Sequence, residues 1–246
     1  MEKLAGVIRA AVDKYNMIEE GDRIAVGVSG GKDSLVLLLG LAHLRRYYPK
    51  AFSLTAISVD PCFEGQESDF GSIEELCREI NVEYVIRRTE LYKVVFEDKQ
   101  AKSPCSLCAK MRRGILHNMA KELGCNKLAL GHHSDDAAET LLMNLFCCGK
   151  VECFRPVTYL SRKELYMIRP MLFCDESKVR SVAERYRLPV VKSRCPMDKN
   201  TEREETGKLI EELSLRYPDL KAKLIGALQR GDISGWGVDS RQEKSQ

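Results

Sequence analysis

The sequence lacks any long hydrophobic run. No apolar stretch in its 246 residues approaches the roughly 20 residues that a membrane-spanning helix needs. Residues 1–20 mix acidic, basic and apolar positions, which is typical of an amphipathic helix and not of a signal peptide. We therefore expect no membrane contact and a cytoplasmic location.

A strong excess of one charge is also missing, since the formal net charge is only +3. This value neither requires nor excludes a nucleic-acid partner. The sequence contains no internal repeat and no low-complexity segment. Its apolar content of 44% and charged content of 30% are those of a soluble protein long enough for one substantial α/β domain.

Hydrophobic runs and turn residues alternate in a way that predicts strands followed by helices. Strands are predicted at 23–28, 52–59, 83–87, 127–130, 165–168 and 189–191. Helices are predicted at 35–47, 72–80, 109–123, 135–146, 176–186, 202–213 and 219–229. This order predicts a doubly wound, mostly parallel sheet with short C-terminal helices. We divide the chain into an N-terminal helix (1–20), the main domain (21–200) and C-terminal helices with a tail (201–246).

A short glycine-rich segment, SGGKDS, directly follows the first predicted strand and opens a helix. Free backbone N–H groups and the helix dipole at such a place bind anions. Glycine lets phosphate oxygens approach closely, and the other side chains supply hydroxyl groups, a cation and a carboxylate that can meet Mg²⁺ through water. The predicted ATP-binding residues are Ser29, Gly30, Gly31, Lys32, Asp33 and Ser34. A ligand-free turn is the plain alternative, whereas a Walker A loop is excluded because Val26 and Asp33 break its pattern.

A second segment, GHHSDD, follows the fourth predicted strand. It adds Gly131, Asp135 and Asp136 to the predicted ATP site, with two acids placed to hold Mg²⁺ near a triphosphate. Acids that only cap the helix are the structural alternative, and Ser134 is the predicted N-cap.

Cysteine is plentiful, with ten residues, and its spacing is informative. Cys105 and Cys108 form a Cys-x-x-Cys pair, which suits redox chemistry, half of a zinc site, an iron–sulfur cluster or two buried thiols. Cys195, in a predicted loop, is the persuasive third ligand, whereas Cys147, Cys148 and Cys153 lie where a helix ends. Three ligands without an obvious fourth favour a cluster with one open metal position.

Basic residues are unevenly spread. Arg112 and Arg113 are adjacent, and Arg185 and Arg187 belong to a looser basic string further along the chain. Such strings are either solvated helix faces or tracks that bind phosphate. We predict that Arg113, Arg185 and Arg187 contact RNA.

The SGGKDS loop resembles that of the N-type ATP pyrophosphatases, the PP-loop proteins. Together with PCSLCAKMRRGIL and LGHHSDDAAETLLMNLF, it makes residues 20–210 similar to the tRNA 2-thiocytidine synthetases. The resemblance implies an adenine-nucleotide α-hydrolase-like fold and an enzyme that uses ATP and Mg²⁺ to thiolate C2 of an anticodon-loop cytidine in tRNA. It also implies a [4Fe-4S] cluster held by Cys105, Cys108 and Cys195.

In such a reaction, AMP is transferred to the C2 oxygen before sulfur replaces it. Lys32 and Asp33 are the predicted catalytic residues of the loop. Asp135 is predicted to position Mg²⁺, and Arg112 to stabilise the adenylated oxygen or hold a tRNA phosphate.

Asp198 stands where relatives often carry a further cysteine, which leaves the thiolated base open between cytidine and uridine. Two rival functions are an amidating or lysine-transferring PP-loop ligase and a non-catalytic iron–sulfur module that binds RNA. Expected partners are tRNA and a cysteine desulfurase or other sulfur donor. A homodimer is left open.

Overall fold

The computed structural model describes residues 1–98, 104–192, 194–195 and 202–237. The strands in these ranges are β1 (Asp22–Gly27), β2 (Phe52–Asp60), β3 (Glu83–Arg88), β4 (Lys127–Ala129), β5 (Val157–Leu160) and β6 (Leu165–Ile168). The α-helices are α1 (Glu2–Lys14), α2 (Lys32–Leu44), α3 (Gly71–Glu79), α4 (Pro104–Glu122), α5 (Ser134–Cys148), α6 (Glu176–Arg185), α7 (Glu202–Arg216) and α8 (Leu220–Arg230). Across these ranges, no helix combines the length and apolar character that crossing a membrane requires.

The six strands form one sheet in the order β3-β2-β1-β4-β6-β5. All neighbours are parallel except β5, which runs antiparallel to β6 at the edge. On β1, Val26 lies opposite Ala56 on one side and Ala129 on the other. The chain leaves β1 towards β2 and returns to β4, so ligands are expected beyond the carboxyl ends of β1 and β4. The doubly wound, mostly parallel sheet is confirmed.

Helices cover both faces of the sheet. Successive strand residues point to opposite faces, so neighbouring residues of β1 belong to different cores. Ile24 and Val26 belong to a core that also contains buried side chains of α1, α2 and α6. Ala25 belongs to a second core with Met119 and Ala120 of α4. Helix α4 therefore lies on the opposite face of the sheet from α2 and α6.

The predicted strand at 189–191 is wrong. Val191 donates its N–H to the carbonyl of Gly30 at 3.0 Å, but Gly30 lies in a turn after β1, so no strand ladder follows. Strand β5 was not predicted. It is a four-residue edge strand joined to β6 by a tight turn, and its short apolar pattern differs little from that of a loop.

Some helix boundaries also differ from the prediction. Helices α2 and α4 begin three and five residues earlier, at Lys32 and Pro104. The N-cap of α5 is His133 instead of Ser134, because the carboxylate of Asp136 accepts the His133 N–H at 2.8 Å. Asp198 and the tail at 238–246 lie outside the described residues.

The C-terminal helices pack back onto the main domain. Helix α7 approaches α5 closely at Gly207, where a Cβ would lie 3.2 Å from the carboxylate of Glu139. Beyond α8, Trp236 is fully buried and donates its indole N–H to the carbonyl of Phe154. The short C-terminal helices are confirmed, while the division at residues 20 and 200 stays a prediction.

Candidate active site

The SGGKDS segment, residues 29–34, forms a tight turn between β1 and α2, which we call the phosphate turn. The Ser34 hydroxyl accepts the Ser29 N–H at 3.1 Å and donates to the Gly31 carbonyl at 2.9 Å. Gly30 has φ of +86°, and a Cβ there would lie 3.1 Å from Cβ of Val191. Glycine is therefore required at this position. The hydrogen bonds of the Ser34 hydroxyl fix the shape of the turn at the N-terminus of α2.

A cavity of about 320 Å³ opens beside this turn, above the carboxyl ends of β1 and β4. Ser29, Asp33, Ser34, Gly131, Asp136 and Arg112 line it, as do His132, Arg203 and apolar side chains that include Leu116 and Leu130. A Cβ on Gly131 would lie 3.1 Å from the backbone of Asp33, so glycine lets the end of β4 meet the first turn of α2. The structure thus brings the two predicted ATP-binding segments together around one space.

Lys32 does not line the cavity. Its amine lies between two carboxylates, 2.9 Å from Oδ1 of Asp33 and 3.4 Å from Oε1 of Glu176. Burial opposes the charge, but the two carboxylates raise the pKa of Lys32 above its usual value. Lys32 is therefore a cation that ties the phosphate turn to α6.

The two adjacent acids of α5 have different surroundings. Asp136 lines the cavity, where its Oδ1 pairs with Arg203 at 3.0 Å. Asp135 is only 5% exposed and faces away, pairing with Lys221 at 2.5 Å and accepting the Glu176 N–H at 2.8 Å. Burial works against ionisation, yet Lys221 and the Glu176 N–H lower the pKa of Asp135. The carboxylates that could hold Mg²⁺ beside a nucleotide are therefore Asp33 and Asp136, and Asp135, predicted for this task, binds α6 and α8 instead.

Arg203 and His132 line the cavity but were not predicted as site residues. Arg203, from the start of α7, also donates to Oγ1 of Thr140 at 3.2 Å. Burial, helped by Arg169 and Arg203, lowers the pKa of His132 to about 3, so its ring is neutral. His132 lies inside the GHHSDD segment and could have been suggested by it. Arg203 belongs to the same basic string as Arg185 and Arg187, but its place in the cavity could not be predicted, because it depends on how α7 packs against α5.

Glu139 lies one helical turn beyond Asp136, beneath α7. Burial raises the pKa of Glu139 to about 7, and Asp136 and Asp135 add to this shift while Arg203 opposes it. The side chain is therefore close to half protonated at neutral pH, which reduces the negative charge next to the cavity.

This raised pKa predicts a pH-dependent stability. The folded chain holds the Glu139 proton more tightly than the unfolded chain, where the pKa is about 4.3, so stability falls as pH rises from about 4 towards 7. We expect Glu139→Gln to match the parent near pH 4 and to be more stable by about 1–2 kcal/mol at pH 8. Urea unfolding at several pH values measures this, with exposed Glu2→Gln as control. Parallel curves for parent and Glu139→Gln would contradict it.

The three predicted cluster ligands meet near the cavity. Cys105 and Cys108 lie in the first turn of α4, and Arg112 follows one turn later on the same helix. The pKa of the Cys108 thiol is raised by burial and by the neighbouring Cys195 and Cys105 thiols, while Arg112 opposes the rise. The Cys105 and Cys195 thiols therefore both lie within electrostatic reach of Cys108; Cys105 is exposed, and Cys108 and Cys195 are half-buried.

Three cysteine thiols are the donor type that holds an iron–sulfur cluster. Among the described residues, no three His, Cys, Asp or Glu side chains form a group that could hold a single metal ion. Such ligation needs the thiolate form, which burial of Cys108 opposes and which Arg112 and the helix N-terminus favour.

The residues predicted to contact tRNA do not lie together. Arg113 is exposed on α4, whereas Arg185 and Arg187 lie at the end of α6, on the opposite face of the sheet. Arg185 is also at the far end of α6 from Glu176 and the phosphate turn. The sheet separates Arg113 from the other two, whose role in RNA binding stays a prediction.

Comparison with known proteins reveals close relatives. Residues 4–211 match the PP-loop domain family. The tRNA-cytidine(32) 2-sulfurtransferase from Syntrophotalea carbinolica is 42% identical over 231 residues, which are 93% of this chain and 87% of that protein. The protein of the same name from Geobacter sulfurreducens is 38% identical over 230 residues, which are 92% of this chain and 89% of that one.

A solved structure is similar over nearly the whole chain. The U34-tRNA thiolase NcsA from Methanococcus maripaludis with its [4Fe-4S] cluster superposes with a TM-score of 0.72 at 27% identity, covering 92% of this chain and 77% of that one. The NMN synthetase from Francisella tularensis, with a TM-score of 0.52 at 14% identity, covers 86% of each chain and shares the fold alone.

Proposed function

Because the chain belongs to the PP-loop family and, within it, to the tRNA-cytidine(32) 2-sulfurtransferases, we propose that it uses ATP to replace the C2 oxygen of a tRNA cytidine with sulfur. The proposed target is the cytidine at position 32, the position in both relatives' names. The observation that carries the proposal is a single cavity that joins the phosphate turn, Asp136 and Arg112. Helix α4 links this cavity to the three cysteines.

Two bonds are exchanged in the proposed reaction. The C2 oxygen of a pyrimidine is a poor leaving group, so it first attacks the α-phosphorus of ATP, and the bond to pyrophosphate breaks. Hydrosulfide then attacks C2 with its own electron pair, the C2–O bond breaks and AMP leaves with that oxygen. ATP therefore provides the leaving group, and the protein must hold the phosphates, the base and the sulfur in line.

The residues around the cavity suit these tasks. Backbone N–H groups of the turn and the Ser29 hydroxyl bind phosphate oxygens at the N-terminus of α2. Asp33 and Asp136 would hold Mg²⁺, which neutralises phosphate charge when bound. Arg112 reaches the cavity from α4, where a guanidinium stabilises negative charge on the adenylated oxygen or binds a tRNA phosphate. Lys32 adds positive charge beside the turn and orients Asp33.

Cys105, Cys108 and Cys195 would hold the [4Fe-4S] cluster, which would carry the sulfur that the donor supplies. The neighbouring cavity is lined by apolar side chains on the α4 side, which restrict water around the activated base. A cysteine desulfurase or another donor is the proposed source of sulfur, and a homodimer remains a prediction.

The test is a reaction with defined components. The protein, loaded anaerobically with iron and sulfide, is incubated with ATP, Mg²⁺, sulfide and an unmodified tRNA transcript that has cytidine at position 32. We expect 2-thiocytidine by nucleoside mass spectrometry, with AMP and pyrophosphate formed in equal amounts. The matched control is the same transcript with uridine at position 32. Formation of 2-thiouridine would assign uridine as the target base, and an amidated or lysine-bearing base would overturn thiolation.

A further inference from the structure

One exposed face of α4 is basic along its length. The members of this stripe follow at intervals of three or four residues: Lys110, Arg113, His117 and Lys121. Such spacing places side chains above one another on a helix. The buried side of α4 carries Met119 and Ala120, which pack against the sheet.

The turn between β5 and β6 extends this stripe with Arg162 and Lys163. Lys163 donates to Oδ1 of Asn118 on α4 at 2.8 Å. Burial lowers the pKa of His117, and Arg113 and Lys163 lower it further, so both cations lie beside its ring. Helix and turn therefore form one surface, which we call the basic face: Lys110, Arg113, Lys121, Arg162 and Lys163.

Few acids neutralise the basic face. Glu164 lies 3.6 Å from Lys121 but is 78% exposed, and Glu122 is paired with Arg87. In the described part of the chain, Lys110, Arg113 and Arg162 form no ion pair. A solvated helix usually mixes both signs, as α7 does, so a one-signed face indicates a polyanionic partner.

The position of the basic face favours RNA over an acidic protein. Arg113 follows Arg112, which lines the cavity. On α4, the face spans about 16 Å from Lys110 to Lys121, at 1.5 Å per residue. Protein interfaces are built around aromatic and apolar anchors. Helix α4 carries none of the large exposed hydrophobic side chains of the described residues, and Tyr159, which precedes the β5–β6 turn, packs on Tyr166.

We propose that the basic face binds the phosphate backbone of the tRNA stem beside the reacting nucleotide. This inference rests on the proposed function, and it adds where the RNA lies. The stem would run along α4 and the β5–β6 turn, on the opposite side of the sheet from α2 and α6. Phosphate contacts of this kind fix the position of the RNA without reading its sequence.

The experiment compares two double variants that remove the same charge. Arg113→Gln/Arg162→Gln changes the basic face, and Arg46→Gln/Arg78→Gln changes two exposed arginines on the α2 side of the sheet. Binding of an unmodified tRNA transcript is measured from 0.05 to 0.3 M KCl, on the order of the range where phosphate contacts dominate. For the basic-face variant, we expect roughly 10-fold weaker binding at 0.15 M and a salt slope shallower by about 2, one per lost phosphate contact.

The control variant should bind like the parent, and ATP binding should be unchanged in both. Lys110→Gln/Arg162→Gln provides a second test that leaves the neighbour of Arg112 intact, and it should also flatten the salt slope. If the parent binds tRNA and the basic-face variants keep the parent's salt slope, this inference is overturned while the proposed function stands. If, in addition, the basic-face variants accept sulfur from a protein donor more slowly than the parent, the face binds that donor instead of tRNA. A parent that binds no tRNA would overturn the proposed function itself.

Discussion

Asp136→Asn is expected to slow ATP-dependent pyrophosphate release by roughly 10²–10³-fold. Asparagine keeps the shape of the side chain and an oxygen that can accept the His133 N–H. It removes the negative charge that pairs with Arg203 and that would hold Mg²⁺ in the cavity. Pyrophosphate and AMP are measured with saturating tRNA, and an unchanged rate would exclude Asp136 from the reaction.

Asp135→Asn makes the same chemical change one residue earlier. Because Asp135 points away from the cavity and pairs with Lys221, we expect a loss of stability of roughly 1–3 kcal/mol. The folded variant should release pyrophosphate at nearly the parent rate. If Asp135→Asn is the inactive one and Asp136→Asn the unstable one, the sequence-based assignment of Mg²⁺ to Asp135 is correct.

Alanine at Cys105, Cys108 or Cys195 is expected to abolish cluster binding and thiolation together. The Cys105 and Cys195 thiols lie close enough to Cys108 to raise its pKa, and Arg112 lies one turn further along α4. Each variant, reconstituted anaerobically, should contain background iron and sulfide and form no thiolated tRNA. ATP binding should persist, because the phosphate turn lies on a different element.

Other cysteines provide the controls. Cys147 and Cys148 are exposed at the end of α5, about 17 Å along the helix from Asp136. Alanine at either should retain the cluster and thiolation, as should Cys174→Ala with a stability loss of roughly 1 kcal/mol. If Cys147 or Cys148 proves as necessary for iron binding as Cys195, the three-cysteine site is wrong.

The parallel core of the fold could be predicted from the sequence because its strands are buried on both faces. β1 and β2 read as mainly apolar runs, and the single helix between them, α2, is rich in buried leucine. The edge of the sheet could not. β5 has four residues and one neighbour, whereas the apolar residues 189–191 resemble a strand but make a single main-chain bond to Gly30.

The site was predictable where one segment holds all its parts, as in the turn from Ser29 to Ser34. It was not predictable where the rotation of a residue around the helix axis decides which side chain faces the cavity. Adjacent residues of a helix point about 100° apart, so only one of Asp135 and Asp136 can face the cavity. The choice depends on Lys221 and Arg203, which are 86 and 67 residues away in the chain.

The main-chain bond between Val191 and Gly30 has a thermodynamic consequence. It ties the phosphate turn to the segment that leads to Cys195, and the close approach of Val191 to Gly30 leaves little room for one to move without the other. On the proposed assignment of the two sites, nucleotide binding and cluster binding therefore act on a shared stretch of backbone. Linkage is reciprocal, so the factor by which a loaded cluster changes the affinity for ATP must equal the factor by which ATP changes the affinity for the cluster.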